Sequence, residues 1–260
     1  MQKIVKVLKM LGIYKAIEWI YFNVHPMKKK IKEQGTSYYR KKWSKRGIGD
    51  NVKDWDDKGN DWIENYWLSS QHPHRKHLIE RFDKYEPKTM LDIGCNCGVN
   101  MYMLAKHFPD AHITGTDINL PAIQKGIAYF RKEGMRDRAT WYPDSADELF
   151  RVPDKSMDVL FTDAVLIYVA PDKIDEIIKD MLRIAKKSII LVEWNIPSIF
   201  HKDDEGLGVY HKGLWMRDYH SLFMKHGVEG YRIKTTKITK DVWDDDNWSD
   251  VGAIIEVNLT

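Results

Sequence analysis

From residue 88 onward the chain alternates short apolar runs with segments of helical character, and no other feature limits its fold as strongly. The runs are TMLDIG (89–94), HITGTDI (112–118), ATWYP (139–143), MDVLFTDAV (157–165) and SIILVEW (188–194). They are apolar almost throughout rather than at every second residue, the pattern of strands covered on both faces of a parallel sheet. Helical segments lie between them over 99–108, 121–133 (opened by Pro121 in its favoured first-turn place) and 171–186. Strand and crossover helix in alternation, joined with right-handed chirality, predict a doubly wound α/β domain. The end of the chain departs from this rhythm. A helix is expected over 215–226, followed by YRIKTTKI (231–238) and GAIIEVNL (252–259) with no clear helix between them, so an antiparallel pair should finish the sheet. The predicted fold is an α/β, Rossmann-like sheet of seven strands, mostly parallel with an antiparallel C-terminal strand, plus a helical N-terminal extension.

Two regions are expected: a basic helical extension and connector over 1–66, and the α/β domain over 67–260. Residues 1–50 carry 13 Lys and Arg against 3 Asp and Glu, and the remainder carries 28 against 35. A basic arm thus precedes a mildly acidic body, and an electrostatic partner would meet the arm. The apolar residues near the N-terminus are interrupted by Lys6, Lys9, Lys15 and Glu18, which argues against a spanning helix or a secretory signal. Two readings stand for residues 1–35: peripheral contact with an anionic membrane through MKKKIK, or packing against the body or a second copy of the chain. Residues 51–66 are acidic, aromatic and turn-rich, a connector, and SSQHPHRKHLIERFDKY (69–85) is expected to be one helix capped by Ser69 or Ser70. The two cysteines exclude a disulfide scaffold and point to a reducing compartment, so the expected location is cytoplasmic, including the inner face of a membrane.

In an open parallel sheet, ligands bind beyond the carboxyl ends of the strands. LDIGCNCGVN is the first such turn, with Gly94 and Gly98 available for positive φ. It is neither a dinucleotide fingerprint, because Asn96 replaces the middle glycine, nor a phosphate P-loop. Asp117 follows the second strand, where a carboxylate can accept from both ribose hydroxyls, and Asp144 follows the third, within reach of an adenine amino group. Asp92 lies in the first strand, suited to a cationic amine. Adenine, ribose and an ammonium group without phosphate describe S-adenosylmethionine. Cys95 and Cys97 form C-x-C without a second pair, which reads as loop filling rather than a zinc site.

LDIGCNCG, GTDIN, PDSADEL and MDVLFTDAVLIYV resemble, in order and spacing, the successive motifs of class I S-adenosylmethionine-dependent methyltransferases. That resemblance implies a cofactor site shaped by Asp92, Gly94, Cys95, Asn96 and Gly98, with Asp117 on the ribose, Ile118 against adenine, Asp144 and Ser145 at the adenine edge, and Asp163 also among the cofactor-binding residues. S-adenosylhomocysteine would be the product. Where the family has a third glycine this chain has Asn96, a residue that tolerates the left-handed conformation. The family's N-methylating N/D-P-P-aromatic signature is absent from TDAVLIYVAPD, which disfavours nucleic-acid base methylation and a nucleic-acid partner.

Proton removal from a hydroxyl acceptor needs a base. Asp163 and Tyr168 are candidates to line the acceptor pocket. The long segment after the fifth strand adds His201, Tyr210, His211, Arg217, Asp218, Tyr219 and His220, with His211 the leading base and His201 beside it. QHPHRKH (71–77) could also reach the pocket, and WDDDNWSD (243–250) adds an aromatic and acidic cluster. Some family O-methyltransferases use a divalent cation; no metal-ligand motif specifies one here. The mix of Trp, Tyr, His and Asp suits a sugar ring, and the chain is similar to methyltransferases associated with surface polysaccharides. O-methylation of a sugar hydroxyl on a glycan or sugar nucleotide is the expected reaction. The alternatives are N-methylation of a small amine or phospholipid headgroup, and a catalytically inactive methyltransferase fold that serves as a binding module.

Overall fold

The computed structural model describes residues 35–44, 62–197, 207–211 and 214–260. Most of the basic arm (1–34) and His201 lie outside them. Seven strands form one sheet: β1 (Thr89–Ile93), β2 (His112–Thr116), β3 (Ala139–Tyr142), β4 (Met157–Asp163), β5 (Ala185–Trp194), β8 (Ile233–Lys237) and β9 (Gly252–Asn258). Their spatial order is β3-β2-β1-β4-β5-β9-β8. The first five pair in parallel, whereas β9 runs antiparallel to both β5 and β8. This is the mostly parallel, Rossmann-like sheet that the continuous apolar runs predict. The strand order reverses between β1 and β4, and a crevice opens at such a switch point.

Helices α4 (Val99–His107), α5 (Leu120–Lys132) and α6 (Pro171–Ile184) form the crossovers. In α6 the residues Ile174, Ile177, Ile178, Met181 and Ile184 are buried, a stripe at helical spacing laid on the sheet. The two faces of the sheet carry separate apolar cores. One contains Phe82, Met90, Leu104, Phe161 and Val192; the other contains Leu91, Leu160, Ile177, Leu191 and Phe223.

Several sequence expectations are corrected. The stretch 69–85 is not one helix. Its regular part is α3 (Pro73–Ile79), flanked by short 3-10 turns at Ser69–Gln71 and Asp83–Tyr85. Its cap is neither Ser69 nor Ser70 but His72, whose side chain accepts from the His74 amide. Pro73 explains the break, because the residue before a proline is driven to extended backbone, here φ −65° and ψ 131°. Within the connector, α2 (Trp62–Leu68) is helical and packs Trp62 and Ile63 with Cys97 and Ala122. The helix expected over 215–226 is α7 (Tyr219–Lys225); Trp215 belongs instead to a small hairpin of β6 (Val209–His211) and β7 (Leu214–Met216). Between β8 and β9 stands a short helix, α8 (Asp246–Val251), capped by Asp245.

Helix α1 (Thr36–Ser44) lies on the body through polar contacts. The Thr36 hydroxyl donates to Asp172 at 2.8 Å and accepts from the Ala170 amide at 2.9 Å, and Arg40 pairs with Glu148 at 2.5 Å. No described helix is long and apolar enough to cross a membrane.

Phe82 and Phe161 meet edge to face at 5.2 Å, both fully buried, and join the segment after α3 to the central strand β4. Phe161→Ala should cost about 3–5 kcal/mol in chemical denaturation. Phe150→Ala, at a side chain 68% exposed, should change stability by less than about 0.5 kcal/mol.

Candidate active site

The turn after β1 is built for close approach. Gly94 and Gly98 adopt φ of +79° and +77°, and Asn96 takes φ +53°. A Cβ on Gly94 would stand 2.3 Å from Val165 Cγ2, and one on Gly98 2.2 Å from the Trp141 ring. Asn96 tolerates its left-handed backbone with a local bond: its side-chain oxygen accepts from the Cys97 amide at 2.7 Å.

Asp117, just past β2, binds this turn directly. One carboxylate oxygen accepts from the Asn96 amide at 2.7 Å and the other from the Asn119 amide at 2.7 Å. Burial raises its pKa to about 6, opposed by those two amides. Each oxygen keeps a lone pair for a further donor.

A cavity of about 610 Å³ opens beside the turn at the carboxyl ends of β1 and β4. One end is lined by Gly94, Asn96, Asp117, Ile118, Asp144 and Ser145. The other is walled by Tyr39, Tyr66, His72, Tyr168, Leu214 and Trp248. Trp243 lies between Trp248 and His74, stacked on the first at 4.0 Å and on the second at 4.1 Å.

Asp163 ends β4 at the junction of the two halves. Its Oδ2 accepts from His74 Nε2 at 3.0 Å, Arg75 Nη1 at 3.1 Å and Asn100 Nδ2 at 2.9 Å, all four side chains being buried. Burial alone would push its pKa up, but His74, Arg75 and the Asn100 amide hold it well below the usual carboxylate range. A carboxylate so held is a weak base and a strong anchor.

The loop after β4, with Ala164 at φ +59°, is clamped from both sides. Glu193 of β5 accepts from the Thr162 hydroxyl at 2.7 Å and from the amides of Val165, Leu166 and Ile167 at 3.0, 3.0 and 3.1 Å. Burial raises the Glu193 pKa to about 7. From the other side the fully buried Arg217 donates to the carbonyls of Leu166 and Val169. Arg217 therefore supports the loop that carries Tyr168, while Asp218 caps α7. These two residues, expected in an acceptor loop, serve the backbone.

Residues 90–188 match the family described as a methyltransferase domain. The chain carries a class I S-adenosylmethionine-dependent methyltransferase domain. The methyltransferase fold extends beyond the matched residues. Magnesium protoporphyrin IX methyltransferase of Synechocystis, solved with bound S-adenosylmethionine, superposes with a TM-score of 0.59 at 14% identity, over 86% of this chain and 97% of that one. Geranyl diphosphate C-methyltransferase of Streptomyces coelicolor gives 0.56 at 11% identity, over 78% of this chain and 86% of that one. At these identities the likeness is one of fold. By sequence, a sterol 24-C-methyltransferase of Gibberella zeae is 26% identical over 133 residues, 50% of this chain and 34% of that protein. An uncharacterized protein of Haemophilus influenzae is 23% identical over 158 residues, 61% of this chain and 55% of that one. The chain therefore spans about half or less of the length of these curated relatives.

The methyltransferase site fits the cofactor on its own chemistry. Asp117 offers two oxygens to a diol, Ile118 an apolar contact, and Asp144 and Ser145 polar groups at the far edge. Asp92 Oδ2 and Asp163 Oδ1 are buried without a hydrogen-bond donor, which an ammonium-bearing ligand would offset. Burial, with Asp163 nearby, raises the Asp92 pKa well above the ordinary value in the absence of such a cation. Among the sequence candidates, Gly94, Asn96, Asp117, Ile118, Asp144, Ser145, Asp163 and Tyr168 line the cavity. Asp92, Cys95 and Gly98 stand behind that lining. Both cysteines are free and buried, and burial raises the Cys95 thiol well above its usual range, so Cys95 does not behave as a thiolate. His211 lies on β6 with its ring 6.3 Å from that of Trp194 and does not line the cavity. The imidazoles that do are His72 and His74. Among the described residues no group of three or more His, Cys, Asp or Glu is placed to hold a metal ion.

Asp117→Ala should remove most affinity for S-adenosylhomocysteine in calorimetry while the circular dichroism spectrum stays that of the wild type. In the unaltered chain the affinity should fall as pH is lowered through about 6, because protonation would remove an acceptor that a bound ribose diol would use. Asp117→Asn should lose that pH dependence.

Proposed function

We propose that the chain methylates a hydroxyl group on a ring-shaped small molecule, with a sugar hydroxyl of a glycan or sugar nucleotide as the first acceptor class. The acceptor end of the cavity carries this reading. Its polar groups are Arg75, His72, His74 and a single carboxylate, Asp163, whose charge Arg75 already offsets. Arg75 already pairs with Asp163, and in this reading the open oxygens of Asp92 and Asp163 are taken by the ammonium group of the cofactor, so a cationic amine acceptor would find no further anion to hold it. A neutral hydroxyl meets no such penalty. Around these groups stand Tyr39, Tyr66, Tyr168 and Trp248, aromatic side chains of the lining against which the apolar face of a sugar ring can pack.

S-adenosylmethionine, when bound, supplies the methyl group to be transferred. The chain's own residues then orient and confine the acceptor: the clamped 164–168 loop sets Tyr168, the Trp243–Trp248 stack forms a rigid wall, and Thr36, Tyr39 and Arg40 of α1 border the cavity. Enclosure keeps water from the reacting atoms and holds the hydroxyl oxygen in line with the methyl carbon.

The test is a screen of carbon-13-labelled methyl transfer from S-adenosylmethionine onto sugar nucleotides, simple glycosides, small amines and phospholipid headgroups. A methoxy carbon signal on a sugar ring is the expected result. An N-methyl or C-methyl product would overturn the hydroxyl assignment. Absence of transfer and of cofactor binding would leave the fold as a binding module.

A further inference from the structure

The loop after β3 and helix α1 meet through two shared carboxylates. Glu148 accepts from the Ser145 amide at 3.0 Å and pairs with Arg40 at 2.5 Å. Asp147 accepts from the Ser145 hydroxyl and lies 3.7 Å from Arg40 Nη1. Ser145, which lines the cavity beside Asp144 and Ile118, and Arg40, on α1, are thus held by the same two side chains. The Ser145 amide and Arg40 hold the Glu148 carboxyl below its usual range, so the link stays charged at neutral pH. Arg40 and Ile118 also border a second recess of about 380 Å³, lined by Ser37 and Lys41 as well. Helix α1 therefore lies against the end of the site that holds Asp144 and Ser145.

The same helix reaches the other end of the cavity. Tyr39 lines it and tilts against Tyr168 of the clamped loop, their ring centroids 5.5 Å apart. Thr36, at the start of α1, is tied to Ala170 and Asp172 where α6 begins. Yet Tyr39 is the only buried residue among the described side chains of α1, whereas Ser37, Arg40, Lys41 and Lys42 are exposed. By contrast α6 buries Ile174, Ile177, Ile178, Met181 and Ile184. A helix of 9 residues does not persist by itself in water. One that buries a single ring and otherwise relies on exposed polar contacts belongs to the low-stability end of a fold.

We propose that α1 is a lid on the cofactor site: it opens to admit and release S-adenosylmethionine, and it closes through Arg40 once Ser145 is engaged, bringing Tyr39 to Tyr168. A ligand at the Asp144–Ser145 edge immobilises the loop that carries Asp147 and Glu148. Two carboxylates already held in place are a better seat for Arg40, because their ordering need not be repeated when α1 docks. The coupling is reciprocal, so a seated α1 slows departure of the ligand. Tyr39 travels with the helix, and the acceptor wall is incomplete until α1 is down. The methyl donor therefore enters before the acceptor. This rests on the methyltransferase reading of the cavity and holds for any acceptor.

The test needs no acceptor. Hydrogen exchange is measured on the full chain with and without saturating S-adenosylhomocysteine, whose binding is checked by calorimetry on the same preparation. With the ligand, amides of α1 should exchange ~10-fold or more slowly, while those of α6 change by less than ~2-fold. Unchanged exchange in α1, or equal slowing in both helices, would overturn the lid. A linked variant separates a moving lid from a fixed wall. Thr36→Cys with Asp172→Cys replaces the side chains whose oxygens stand 2.8 Å apart, and Cys95 and Cys97 are buried. Reduced, this variant lacks the latch and should release S-adenosylhomocysteine faster than the unaltered chain in stopped flow. Oxidised, with the disulfide verified by mass, it should release the ligand ~10-fold or more slowly than its reduced form. Equal release in the two forms would overturn the lid as well. Absence of S-adenosylhomocysteine binding would remove the methyltransferase reading and the lid together, whereas binding without protection of α1 removes the lid alone.

Discussion

A buried ion pair ties the helical segment before β1 to the sheet. Arg75 reaches Asp163 at the end of β4, Asn100 in α4, and Ser69 through both its carbonyl and its hydroxyl. Three separate stretches of chain thus converge on one guanidinium. A buried charge pair gives little net stability over an apolar equivalent, but loss of one partner strands the other and costs several kcal/mol. That asymmetry makes the pair a device for placement. It sets where α3 meets the carboxyl edge of the sheet, and so places His72, the cap of α3, and His74, in its first turn, at the cavity.

The same economy recurs around the rest of the site. Glu193 receives three amide hydrogen bonds from the segment after β4 and a fourth from Thr162 within that strand, and Arg217 grips the same segment, so the loop is held by two buried side chains. Asp117 does likewise for the turn after β1, with one oxygen on Asn96 and one on Asn119. Each carboxylate fixes irregular backbone that has no ladder or helix to satisfy it. The cavity owes its shape to loops, and the loops owe theirs to these buried groups.

The sheet was legible because its five parallel strands are covered on both faces, and such strands write continuous apolar runs into a sequence. Asp117, Asp144 and the glycine turn were legible because each follows its strand directly, so that local order and spatial order coincide. The acceptor half was harder to read. His74 and Asp163 are 89 residues apart, and nothing local to either announces the other. Pro73 did carry a signal, since it ends any helix that would run through it and turns His72 into a cap. The hairpin of β6 and β7 has three-residue strands, and α8 is six residues rich in acid; neither is long enough to establish a period. His211 lay in a plausible loop, yet pairing in that hairpin carries it to Trp194 rather than into the cavity lining.

The order of strands bears on how the protein assembles. β9 comes after β8 in the chain but lies between β5 and β8 in space, so β8 has no neighbour until β9 is in place. Trp243 and Trp248 sit on the connection between those two strands. The cofactor half draws its strands from residues 89–163, which leave the ribosome first and can pair in parallel with one another. The aromatic wall of the acceptor half must wait for an insertion that closes the sheet from its far side. During synthesis, then, the strands that carry the glycine turn and Asp117 are laid down before the connection that carries the Trp243–Trp248 stack.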